Sequence, residues 1–389
     1  MGLLRDEDAG RKKRREMVRL LSALIAKDTS DPPGNEYLAA RVVKAFFTEH
    51  GIRYRTFEKE KGRTNIIGYI GSGKPRLMLA CHMDTVPPGD GWISDPFKAK
   101  IRGDRLYGRG AVDDKGPLAG VLMAAAAVKK DELRLRGQVI IACVADEERG
   151  SGVGMDYLLS EGKVDAEYAI VPDTENQMHK IDIAEKGLLF LKVTSVGKQA
   201  HGSTPDKGVN AIWNMLQFLE VFRKYRMRFK RHRLLSPPTI NLGVIRGGEA
   251  VNIVPAECSM RIDIRYLPSQ RPGQIASDVI KMFALVRRKN RGAVFRLEIL
   301  EDQKPVEVAA DNELVRSIKR HVKAVMRTVP ETIGISGTTL VKPLAANGIT
   351  AVGFSAGKNI SHTSNEYISI SELIRFSKII RLVCLDLLK

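Results

Sequence analysis

Cysteine is scarce in this chain and never paired. The four residues Cys81, Cys143, Cys258 and Cys384 stand far apart, form no Cys-x-x-Cys and sit mostly in apolar runs. That pattern offers neither a disulfide framework nor a thiolate metal knuckle, and predicts reduced, buried thiols of a cytoplasmic protein. Long apolar runs are also missing: none approaches the roughly 20 residues of a membrane span. With 43% hydrophobic and 28% charged residues, the composition is that of a globular chain large enough for two domains. Internal repeats and low-complexity tracts are absent too. Arg11-Lys12-Lys13-Arg14-Arg15 ahead of the apolar stretch 17–26 imitates a secretory signal, but Arg19 interrupts it. Met17, Leu20, Leu21, Leu24 and Ile25 instead follow the stripe of an amphipathic helix.

Negative charge is the scarcer sign. Against 63 Lys and Arg there are 45 Asp and Glu, a net charge of +18 that would attract phosphates or anionic metabolites. The excess gathers at 11–15, 223–233 and 287–291. No zinc finger, RNA-recognition aromatics or basic zipper accompanies it, so solvated helix faces and loops are expected, not a nucleic-acid partner.

Short apolar runs alternate with helix-length segments in the first half, the pattern of a parallel sheet covered by helices. Helices are expected at 37–49 and 117–129, and strands at 65–70, 77–81, 139–145 and 168–171. The character changes near residue 185, where strands at 188–196, 239–245 and 257–265 and helices at 209–223 and 272–289 give a βαββαβ-like stretch. A helix at 313–326, a strand at 350–354 and a helix at 370–388 restore the first pattern. The expected architecture is α/β, a mixed but mostly parallel sheet sandwiched by helices, carrying an inserted α+β, ferredoxin-like domain. Residues 1–184 and 303–389 would form the first domain and 185–302 the insertion.

Ligands of open parallel sheets bind beyond the carboxyl ends of the strands. His82 and Asp84 follow one apolar run, Glu147 and Glu148 another and Asp173 a third, so three separate segments aim imidazole or carboxylate at one edge. Asp113 lies in Gly108-Arg109-Gly110-Ala111-Val112-Asp113-Asp114-Lys115-Gly116, a glycine-rich loop opening onto a helix. It lacks the Gly-Lys-Ser/Thr ending of a phosphate loop. Asp114 is expected to cap the helix, and glycine's freedom would let the loop bring Asp113 over the sheet edge. With His362, these residues outline a two-metal hydrolytic site.

The ordered segments resemble the cocatalytic zinc aminoacylase and carboxypeptidase family, which includes acetylornithine deacetylase, succinyl-diaminopimelate desuccinylase, glutamate carboxypeptidase and carnosinase-like dipeptidases. The likeness runs through Cys81-His82-Met83-Asp84, residues 107–116 and 146–152, Ala200-His201-Gly202, and residues 247–255 and 361–366. It implies a zinc-peptidase-like first domain and a lid or dimerisation role for the insertion. It also implies that His82 and Asp173 hold one metal, Glu148 and His362 the other, with Asp113 bridging both and a cis peptide following it. Glu147 would be the general base and Asp84 would orient the His82 ring. His201 would reach into a partner subunit's site to stabilise the oxyanion, making the protein a homodimer. Asn252, Arg265, Gly337 and Thr338 resemble contacts to the carboxylate of a small-molecule substrate.

Two divalent ions follow from that set. Zinc suits imidazole and carboxylate, with cobalt or manganese as alternatives, and a pair about 3.5–4 Å apart would share a bridging hydroxide. The expected reaction is hydrolysis of an amide in an N-acyl amino acid, by a deacetylase or desuccinylase. Asp173, where deacylases of the family usually carry Glu, points to a dipeptidase or carboxypeptidase as the alternative. A non-catalytic basic binding protein is the remote one, since such a protein has no reason to keep the base with every ligand.

Overall fold

The computed structural model of the chain describes residues 2–174 and 176–389, with side chains from Gly10 onward. Two compact units emerge. The first takes Met1–Ile183, Val308–Ile333 and Thr339–Lys389, and the second Ala184–Glu307 with Gly334–Thr338.

Along the chain run α1 (Gly2–Ile25), α2 (Tyr37–Glu49), β1 (Arg53–Glu58), β2 (Thr64–Gly71), β3 (Arg76–His82), α3 (Lys115–Lys129), β4 (Gln138–Val144), β5 (Tyr168–Val171) and β6 (Lys180–Glu185). The second unit continues with β7 (Gly187–Val196), α4 (Ala211–Phe222), β8 (Thr239–Gly247), β9 (Glu257–Tyr266), α5 (Pro272–Lys289) and β10 (Val294–Gln303). The chain then adds α6 (Glu313–Met326), β11 (Thr350–Gly353) and α7 (Ile370–Leu388).

The sheet of the first unit is ordered β1-β2-β4-β3-β5-β11-β6. Its four inner strands β4, β3, β5 and β11 are parallel; β2 on one side and β6 on the other run against them, and β1 pairs antiparallel with β2. This is the mixed, mostly parallel α/β sheet the sequence pattern predicts. β3 and β4 are buried at every position but the first. Helices cover both faces of such strands, which therefore read as unbroken apolar runs and not as alternation. Cys81 and Cys143 pair in register there, and all four cysteines are free and buried.

The N-terminal stripe behaves as an amphipathic helix: Met17, Leu20, Leu21, Leu24 and Ile25 are all buried. Helix α3, rich in alanine, is buried nearly all round, and close packing leaves no room for a Cβ at Gly120, which would lie 2.7 Å from the Phe376 ring of α7. Among the described residues no helix is long and apolar enough to cross a membrane.

In the second unit the order β8-β9-β7-β10 is antiparallel throughout. Helices α4 and α5 close one core with it, built from Leu191, Val193, Phe218, Met260, Val279, Phe283 and Phe295. The element sequence is βαββαβ, as the pattern predicts. Edge strand β8 is exposed along almost its whole length.

Candidate metal centre

All the acids and imidazoles expected at the sheet edge meet in the first unit. His82 ends β3, fully buried, and its Nε2 stands 2.9 Å from Asp113 Oδ1. His362 approaches the other oxygen of that carboxylate, Nε2 to Oδ2 3.0 Å, and lies 3.2 Å from Glu148 Oε2. Donor atoms of His82, Asp113 and Glu148 lie within 4.8 Å of one another, as do those of His82, Glu147 and Asp173. Asp113 thus sits between the two histidines, Asp173 and Glu147 on the His82 side and Glu148 on the His362 side. The His362 side chain is 55% exposed whereas that of Glu148 is 8% exposed, so the cluster opens to solvent at His362.

Local structure explains the convergence. The loop before α3 turns at Gly110, φ 82°, and is cradled by Glu366. That carboxylate accepts the amides of Val112 at 2.6 Å and Asp113 at 3.2 Å, and pairs with Arg109 Nη1 at 2.6 Å. The Asp113–Asp114 peptide is cis. Asp114 occupies the position before α3 but makes no side-chain cap. Its Oδ2 accepts the His82 amide at 3.1 Å instead, so the expected cap is corrected to a tether between loop and strand end. Asp84 reaches His82 mainly through its main chain: the ring Nδ1 is 3.1 Å from Asp84 O and 3.5 Å from Oδ1. The Asp84 carboxylate accepts the Glu148 amide at 3.0 Å.

Charges in the cluster shape one another. Hydrogen bonds to Asp113 and Glu148 push the His362 imidazole up to about 10. Burial alone would lower His82, but Asp113 and Asp84 outweigh it and raise it. Burial would raise Asp113, yet the two histidines hold it below the usual carboxylate range. Glu147 is pushed up to about 8 by burial, and further by Glu148, Asp84 and Asp113 against the opposing pull of His82. Burial, then Asp113 and Glu147, likewise raise Asp173. Four carboxylates can ionise together beside two imidazoles only with compensating positive charge, which protons supply in these shifts and divalent cations would supply in their place. Nitrogen and carboxylate donors at this spacing fit zinc and its neighbours among divalent metals.

The remaining candidates belong to the second unit. His201 is exposed, its Nδ1 2.7 Å from Ser203 Oγ, and it bridges to Ile253 while the Gly202 amide donates to Asn252 O at 2.7 Å. His201 and Asn252 therefore neighbour each other. Arg265 donates from Nε and Nη2 to both oxygens of Asp263, at 2.9 and 3.2 Å, and from Nη1 to Thr338 Oγ1 at 3.0 Å. Gly337 adjoins Thr338 in the same loop. Three of the five guanidinium donors are engaged, so two remain for a ligand. The other histidines make local contacts, such as His232 with Glu307 and His321 with Asp386, both at 3.2 Å.

Arg109, Glu366, Arg63 and Asn65 hold the site from behind, and no residue pattern in the sequence marks them. Arg109 and Glu366 lie inside family-like stretches, which was the one available signal. Their pairing across the chain is visible only in three dimensions.

Peptidase family M20/M25/M40 matches residues 78–386 of the chain. An uncharacterised metallohydrolase of Methanococcus maripaludis is 29% identical over 371 residues, 86% of each chain. The acetylornithine deacetylase of Myxococcus xanthus is 29% identical over 370 residues, covering 91% of this chain and 93% of that one. Among solved structures the aminopeptidase PepT of Bacillus cereus superposes with a TM-score of 0.76 at 22% identity, covering 96% of this chain and 98% of that one. At that identity the likeness shows the fold.

Proposed function

We propose that this chain, which belongs to peptidase family M20/M25/M40 and is thereby a metallohydrolase of amide and peptide bonds, removes the acyl group from an N-acyl amino acid. The observation that carries the reading is the placement of Asp113 between His82 and His362, with Glu147 beside it. His82 with Asp173 and Glu148 with His362 would hold two divalent ions, zinc first among the candidates, and Asp113 would join them. When bound, those ions supply Lewis-acid polarisation of the amide carbonyl and acidify water.

The protein's own groups do the rest. Glu147, beside His82 and Asp173, accepts a proton from the attacking water as the water oxygen bonds to the carbonyl carbon. It returns that proton to the nitrogen as the C–N bond breaks, so amide and water become carboxylic acid and amine. Asp84 and Asp114 fix the His82 side of the site through the ring and the amide. Arg265, steadied by Asp263 and Thr338, offers its two free donors to a substrate carboxylate.

His201 would stabilise the oxyanion from a second copy of the chain. Support comes from the second unit alone. His201 and Asn252 lie at the end of β9 where Glu257 pairs with Val196, whereas Arg265 pairs with Leu188 at the other end. Eight residue steps of strand separate those ends by about 26 Å, so a substrate of amino-acid size meets both groups only if two chains each supply one. Exposed Leu242, Val244 and Ile245 on β8 and Trp213 and Leu216 on α4 are the surface such a homodimer would cover. Four buried free thiols suit a reducing, cytoplasmic setting.

Deacetylation is the favoured specificity because the Myxococcus xanthus relative, named acetylornithine deacetylase, spans nearly the whole chain. Asp173 favours dipeptides as the second reading. N-acetyl and N-succinyl amino acids assayed beside dipeptides, with zinc, cobalt and manganese, separate the two. Faster turnover of the acyl amino acids is expected, and a preference for dipeptides would overturn the choice.

A further inference from the structure

The turn that carries Glu147 and Glu148 leaves β4 through Asp146, whose backbone sits at φ 66°. That left-handed conformation is uncommon for a residue with a Cβ, although Asp adopts it more readily than most, and here its surroundings hold it in place. Those surroundings come from Arg63, just before β2, from Asn65 on it, and from Glu36 and Asp31 ahead of α2. Arg63, with its side chain 12% exposed, donates from Nε and Nη2 to both oxygens of the fully buried Glu36, each at 2.7 Å. The same Nη2 reaches Asp31 Oδ2 at 2.7 Å and Asp146 Oδ1 at 3.3 Å. Glu36 Oε1 also accepts the Asp146 amide at 3.3 Å, so the Arg63–Glu36 pair grips Asp146 by side chain and backbone together.

Two residues further on, in β2, Asn65 accepts the Ala145 amide at 3.0 Å and donates to Val153 O at 2.9 Å. Asp146 Oδ2 takes the Val153 amide at 3.0 Å. Both ends of the turn are pinned, and Glu147 and Glu148 lie between the pins. The Arg63 socket is tight as well: a Cβ added to Gly34 would stand 2.3 Å from Arg63 Nε.

We propose that Arg63 is a positioning residue for catalysis: by clamping Asp146 through Glu36 and Asp31, it sets the angle at which Glu147 meets the attacking water. The proposal rests on Glu147 being the general base. Arginine is required because its planar fork serves several carboxylates at once, whereas lysine keeps the charge but loses the geometry. A purely structural ion pair would add stability without affecting the chemical step. A clamp on the residue preceding the base should change kcat and leave substrate binding alone.

The test uses the full-length, metal-loaded protein carrying Arg63→Lys, with Glu36→Gln as a second variant that keeps the shape of the Arg63 partner and weakens the grip of the fork. Hydrogen–deuterium exchange of the 145–153 segment is read by mass spectrometry beside steady-state kinetics. Exchange in that segment should quicken about tenfold with the rest of the chain unchanged. kcat should fall about 10–100-fold, as misplacement by roughly 1 Å costs, with KM within about threefold. Unaltered exchange of 145–153 in a folded variant overturns the proposal, and so does a raised KM at constant kcat. If Arg63→Lys does not fold, Glu36→Gln carries the same readouts. If the wild type cleaves no amide, the assignment of Glu147 fails by itself, and the exchange measurement still decides whether Arg63 clamps the turn.

Discussion

His82 and His362 face opposite oxygens of one carboxylate, Asp113, at 2.9 and 3.0 Å. Shared in this way, Asp113 defines the midline of the cluster. Glu147 and Asp173 flank His82, while Glu148 lies 3.2 Å from His362 and within 4.8 Å of His82. The arrangement separates two tasks. Groups on the midline and to either side suit cations, and among the described residues no Lys or Arg pairs with Glu147 to hold it ionised.

Replacing Glu147 by Gln keeps the shape of the side chain and removes the base. kcat should fall about 10²–10⁴-fold, the usual worth of a positioned base, while metal content stays at the wild-type level. Metal analysis beside kinetics checks both, and full activity in the variant would refute the role.

Arg265→Ala should discriminate between substrates. Losing charge-assisted hydrogen bonds to a carboxylate costs about 1.5–3 kcal/mol, so KM should rise about 10–100-fold for carboxylate-bearing substrates and change little for their amides. Equal rises for both would remove Arg265 from the binding role.

If one substrate meets His201 from one chain and Arg265 from another, the two defects should complement each other. Assayed at carboxylate-bearing substrate well below the wild-type KM, where each is strongly impaired alone, His201→Ala and Arg265→Ala should regain about a quarter of the wild-type rate when unfolded together and refolded, since half of the dimers are then hybrids with one intact site. Mixtures no better than the mean of the parents would place both groups in the same chain's site, or neither in any.

Acid should loosen the first unit at a defined point. Burial pushes the Asp104 carboxyl up, but hydrogen bonds from Ser369, Ser371 and Arg14 outweigh it and bring it down to about 2. A carboxyl depressed in the folded state stabilises at pH values above its unfolded pKa of about 3.9, and that contribution is lost as pH falls toward 2. Asp104→Asn should therefore lower Tm at pH 7, by about 2–4 °C if the interactions are worth about 1 kcal/mol. The gap to wild type should close near pH 2. A gap that is constant across pH would assign the effect to packing.

The inner strands were legible because burial on both faces makes them apolar runs: 77–81 and 139–145 fall within a residue of β3 and β4. The helices at 37–49, 313–326 and 370–388 match to the residue because their apolar stripes and end residues agree. β1 was not legible. Its Arg-Tyr-Arg-Thr-Phe-Glu is mostly polar, lies at the sheet edge and owes its conformation to the register with β2. The acids and imidazoles of the site were legible as a set because chemistry limits what can replace them. Their supports were not, since the link from Arg63 to Asp146 or from Arg109 to Glu366 depends on loops folding onto one another. The turn of Asp114 toward the His82 amide and not onto its own helix belongs to the same class.

Metal stoichiometry tests the central claim most directly. Purified protein loaded with zinc, freed of excess and measured by plasma mass spectrometry should hold two ions per chain. Asp113→Ala, lacking the carboxylate between the histidines, should hold one or none under the same treatment. A wild type that binds no zinc, or an Asp113→Ala protein that keeps both ions, would contradict the account.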